Sequence, residues 1–129
     1  MIRMNLEDIF CSSQSGHNLY DLFECFSDIT AHVREKGLML DDLDLEKFDG
    51  RLNPFTLEVI CEGLSLIAGG WQNEVLDFYF ESKILGIIST HSISNDILKE
   101  ILMSKYLLWF LRLGNFEEIQ SFRRKFCEY

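Results

Sequence analysis

Apolar residues recur every three or four positions along most of this chain, and almost nowhere do they alternate in twos. Leu19, Leu22, Phe23, Phe26, Ile29 and Val33 mark one face of a helix over Asn18–Lys36. Asn18 with Asp21 supplies a start signal and Gly37 a stop. Asn53 and Pro54 open a second helix, because asparagine caps and proline at the first position loses no hydrogen bond. Leu57, Ile60, Cys61, Leu64, Ile67 and Ala68 form its stripe, and Gly69–Gly70 end it.

A third helix lies within Trp71–Ser89 and starts near Gln72 or Asn73. Leu76, Phe80, Ile84 and Ile87 align, with Val75, Tyr79 and Ile88 beside them, so its apolar face is wide. A face that wide predicts a central helix buried on more than one side. Ser89–Ser92 reads as a loop. Ser94 caps a fourth helix that runs to Leu113 and closes at Gly114; Asn115, with Glu118, opens a fifth carrying Phe116, Ile119, Phe122 and Phe126. Asn5–Phe10 suits one short turn, and Leu43 or Leu45 with Phe48 could anchor another before Gly50.

The fold predicted is all-α: one domain over residues 1–129, a compact orthogonal or irregular bundle of five main helices plus one or two short ones. The length suits a single core. Apolar residues make up 47% of the chain, 11 of them Phe, which is ample material to fill it.

No secretory leader pattern opens the chain, and the longest apolar stretches are shorter than a membrane span and broken by charge. The four cysteines, Cys11, Cys25, Cys61 and Cys127, are spread widely with no Cys-x-x-Cys pair and no zinc spacing, and they suit a reducing compartment better than two disulfides of a secreted domain. A cytoplasmic protein is expected, with no membrane contact.

Charge changes the picture more. The formal charge is −9, and it is unevenly placed: residues 1–62 hold 13 acids and 5 bases, residues 63–129 hold 8 and 7. On a helical wheel, Asp21, Glu24, Asp28 and Glu35 share one ridge about 60° wide opposite the apolar face. Asp41, Asp42, Asp44, Glu46 and Asp49 follow, so nine acids and three bases lie between Asp21 and Asp49. Such a surface repels nucleic acid and attracts a basic protein domain. Tyr20, beside the ridge, is a candidate anchor, as are Phe48, if the core does not need it, and Trp71.

Chemistry is harder to place. A calcium loop counted from Asp42 fails at Lys47, where glycine is needed, and at Asn53, where glutamate is needed. Asp28, His32 and Glu35 lack further metal ligands at helical spacing, and Ser89–Thr90–His91 has no assignable carboxylate partner. No catalytic residue, cofactor or metal is nominated.

In size, in charge and in the acid-rich Asp21–Asp49 region, the chain resembles the small acidic immunity proteins of bacterial contact-dependent and colicin-like toxins. The resemblance implies a one-to-one inhibitor of a basic toxin domain, often a nuclease, acting by steric and electrostatic blockade. That class shares no motif, so it carries over no residue role. Two other classes stand beside it. An acidic adaptor, such as a secretion chaperone or phage-encoded inhibitor, would hold its own type of partner. A small helical enzyme would need a pocket with converging polar groups.

Overall fold

The computed structural model describes residues 19–38, 41 and 43–127. Five helices follow in order: α1 (Tyr20–Lys36), α2 (Pro54–Ala68), α3 (Asn73–Thr90), α4 (Asn95–Leu113) and α5 (Phe116–Cys127). A 3₁₀ turn, Glu46–Phe48, sits between α1 and α2. Among the described residues there is no strand, so the chain is an all-α bundle. The short turn expected at Asn5–Phe10 lies outside the described residues.

Capping chemistry places most of the boundaries. The Asn53 side chain accepts from Phe55 N at 2.9 Å, Ser94 Oγ from Ile97 N at 3.3 Å, and Asn115 Oδ1 from Glu118 N at 3.4 Å. Each satisfies a backbone donor that the first helical turn leaves open. At the end of α4, Gly114 adopts φ 71°, and the amides of Gly114 and Asn115 return to the carbonyls of Leu111 and Phe110. A side chain at that left-handed position would be strained. Helix α1 differs from expectation: Leu19 occupies the capping position without a side-chain bond, and Asn18 lies outside the described residues. Helix α3 also runs further, through Ser89 and Thr90, whose hydroxyls both donate to Gly86 O.

One cluster of buried side chains draws on all five helices and on the Phe48–Leu52 turn. Its centre is α4, which packs most extensively against α2 and also against α1 and α5. The breadth of α3's apolar pattern predicts a central position for that helix, and the structure corrects this. Helix α3 packs mainly on α2 through Leu76, Phe80, Ile84 and Ile87, while Val75, Phe78 and Leu85 face outward. The central role passes to α4 because its apolar residues meet neighbours on several sides.

Helix α2 is rotated relative to its predicted stripe. Its buried face is Thr56, Val59, Ile60, Gly63, Leu64 and Ile67, and Cys61 and Ala68 are exposed. Gly63 gives the reason. A Cβ there would lie 2.7 Å from Leu108 Cδ1 and 3.2 Å from the Phe80 ring. Absence of a side chain lets α2, α3 and α4 meet, which turns the helix toward that point. A buried polar contact ties the same region: Glu100 Oε1, on α4, accepts from Asn53 N at 3.0 Å at the start of α2. The Asn53 amide, just ahead of α2, is thereby paired.

Candidate interaction surface

The acidic ridge of α1 forms as its spacing predicts, but it is not a bare acidic surface. Arg51 lies across it. Its Nε donates to Asp21 Oδ1 at 2.9 Å, its Nη2 to the same oxygen at 2.5 Å, and Nη2 also reaches Glu24. Lys47 pairs with Asp28, one turn further along, and that hydrogen bond raises the lysine pKa. Three of the four ridge acids therefore fasten the following segment to α1. These pairs are solvent-exposed, so they fix geometry more than they stabilise the fold.

Phe48 explains why the segment docks there. It is fully buried, with the Arg51 guanidinium 4.8 Å and the Lys47 ammonium 5.4 Å from its ring centroid. The turn inserts one aromatic ring into the core, and two cations flank the ring on the way to the ridge carboxylates. Phe48 belongs to the core and offers no anchor to a partner. Asp44 Oδ1 accepts from Glu46 N at 3.0 Å, a local bond that turns the chain into the 3₁₀ segment.

The remaining acids have a different setting. Glu35, Asp41, Asp44, Glu46 and Asp49 are exposed, and none forms an ion pair among the described residues. Asp42 lies outside the described residues. Tyr20 is exposed beside the ridge, as its wheel position predicts, and its hydroxyl donates to Glu24 Oε1 at 3.0 Å. Trp71, at the α2–α3 junction, is 51% exposed. The structure thus brings Tyr20, Asp21, Glu24 and Asp28 together around Arg51 and Lys47. The helical wheel of α1 does not point to those two bases, and Arg34 and Lys36, which also lie within or beside the acid run, carry the same sequence signal.

An open groove of about 450 Å³ lies between α2 and α3, lined by Cys61, Glu62, Ser65, Leu66 and Tyr79. Lys83 Nζ sits beside it, 2.6 Å from Glu58 Oε1 and 3.1 Å from Glu62 Oε2. The lysine holds the Glu58 carboxyl below its ordinary range. Burial, reinforced by Glu62, pushes both the Tyr79 phenol and the Cys61 thiol upward. Both groups therefore keep their protons at neutral pH, and a protonated thiol is a poor nucleophile. Cys25 is wholly buried and free, with its pKa pushed up to about 12 by burial and by the nearby Asp28 charge.

Among the described residues, no three or more His, Cys, Asp or Glu side chains are grouped to hold a metal ion. No described helix is long and apolar enough to cross a membrane. No protein-family profile matches the chain, and no curated protein or solved structure matches it.

Proposed function

We propose that this protein is a non-enzymatic, immunity-type inhibitor that binds a basic protein domain, a toxin nuclease being the partner whose charge it fits. One observation carries the reading: five acids, Glu35, Asp41, Asp44, Glu46 and Asp49, stand exposed at the edge of α1 and along the turn segment without ion pairs among the described residues. The paired ridge acids have a supporting part in this reading. Through Arg51 and Lys47 they hold the acidic segment on the body of the bundle. A fixed array of like charges meets a basic surface without first losing the freedom of a loose loop.

The test expresses the products of the neighbouring reading frames, selects any basic nuclease domain among them, and titrates it with this protein by calorimetry at low and high salt. One-to-one binding that weakens with salt and blocks the nuclease is the expected result. Charge reversal at Asp41, Asp44 and Asp49 together is expected to weaken binding at least about tenfold, or about 1.4 kcal/mol. Unchanged binding by that triple variant would refute the acidic docking surface. Stable capture of an unfolded segment, with no binding to the folded domain, would favour a secretion chaperone.

A further inference from the structure

Helix α3 carries a second apolar face that the bundle leaves uncovered. On a wheel, Val75, Phe78, Ser82, Leu85, Gly86 and Ser89 occupy one sector about 100° wide, opposite the buried Leu76, Phe80, Ile84 and Ile87. No charge interrupts that sector. Phe78 is 72% exposed, Val75 and Leu85 are exposed beside it, and Trp71 stands at the head of the helix. Single exposed apolar residues are ordinary, but an aligned, uncharged stripe marks an interaction surface. Its relief is uneven. Phe78 projects, while a Cβ placed on Gly86 would meet nothing within 4 Å, so a partner side chain has room to settle there.

The flank of the stripe identifies the kind of partner. Glu74, Asp77 and Glu81 lie along one side of it, exposed and without ion pairs among the described residues. The nearest base on α3, Lys83, is taken up by Glu58 and Glu62 on the other side. A two-fold pairing of antiparallel α3 helices would set this acidic rail against its own copy, and the chain's net charge of −9 adds to that repulsion. An anionic lipid surface is repelled by the same acids.

We propose that the exposed face of α3 docks a basic amphipathic helix of a partner protein, its apolar side on Phe78, Val75 and Leu85 and its lysines or arginines on Glu74, Asp77 and Glu81. The 18 residues of α3 extend about 27 Å and match a partner helix of about five turns. This surface shares no residue with Glu35 and the acidic segment that follows α1, so the two proposals can fail independently.

The probe is a synthetic peptide of about 18 residues, matched to α3, with leucine on one helical face and lysine on the other. Titrated into the full-length protein, it is expected to quench or shift tryptophan fluorescence, to gain helicity and to bind more weakly as salt rises. Phe78→Ser combined with Leu85→Ser is expected to weaken it at least about tenfold. Both residues are exposed, so circular dichroism should show an intact fold; if the double variant unfolds, Phe78→Ser alone serves. Reversing Glu74, Asp77 and Glu81 to lysine is expected to weaken the peptide about fivefold or more. Charge reversal at Asp41, Asp44 and Asp49 should leave the α3 peptide contact as it was beyond the general loss of negative charge.

Four results would overturn the proposal. A glutamate-faced peptide could bind as well as the lysine-faced one, or the lysine-faced peptide could fail to bind. Sedimentation could show a wild-type dimer that Phe78→Ser dissolves, which would assign the face to a second copy. The protein could bind vesicles of anionic phospholipid through Phe78 while ignoring the peptide.

Discussion

Two glycines in helices make opposite demands on the same substitution. Ala in place of Gly inside a helix removes backbone freedom from the unfolded chain and is worth about 0.5–1 kcal/mol. At Gly86 nothing opposes that gain, because the Cβ would enter open space. At Gly63 the new methyl would lie 2.7 Å from Leu108 Cδ1 and 3.2 Å from two atoms of the Phe80 ring. Leu108 and Phe80 are both fully buried, so neither can swing into solvent to make room. Overpacking of this kind costs about 1–3 kcal/mol and exceeds the helical gain. Gly86→Ala is therefore expected to stabilise by about 0.5–1 kcal/mol, and Gly63→Ala to destabilise by about 1–2 kcal/mol. Each kcal/mol should move the melting temperature by about 3–5 °C in a domain of this size. Urea unfolding followed by circular dichroism measures both variants against the parent chain. A companion variant, Gly63→Ala with Leu108→Val, should recover part of the loss, since the two sites share one contact. If Gly63→Ala proved as stable as Gly86→Ala, the close approach of α2, α3 and α4 would be wrong.

Cys25 makes stability depend on alkaline pH. Its folded pKa is raised from 9.0 to about 12, so the folded state keeps a proton that the unfolded state gives up. That contribution is complete below about pH 9 and is lost as pH rises toward about 12. Urea midpoints should fall in that window, and Cys25→Val should flatten the fall; an identical slope in both proteins would contradict the burial of this thiol. Glu100→Ala should cost about 1–3 kcal/mol by orphaning the Asn53 amide, while Glu100→Gln keeps an acceptor and should recover most of the loss in thermal melts.

The five helices were legible because their signals are local. A cap such as Asn53 or Ser94 acts on an amide two or three residues away, and a glycine such as Gly114 acts on its own dihedral. The ridge of α1 was legible for the same reason, since Tyr20, Asp21, Glu24, Asp28 and Glu35 are placed by one helical period. The part of the candidate surface that was not legible joins residues far apart in the chain. Arg51 reaches Asp21 and Glu24 across 30 and 27 positions. No periodicity reports such a contact, so acids that look free on a wheel turn out to be fasteners.

The sequence by itself determined that the chain is helical, where α2 and α4 begin and end, and that negative charge gathers in its first half. Tertiary structure decided which apolar faces are covered. Helices α3 and α4 are both apolar on wide surfaces, and only packing places α4 at the centre and leaves Phe78 of α3 in solvent. It also placed Phe48 in the core and divided the acids into those that Arg51 and Lys47 occupy and those that remain open. The physical reason is the range of the forces involved. Capping and periodicity act within a few residues of backbone, whereas burial and ion pairing depend on which distant surfaces the packed helices bring together.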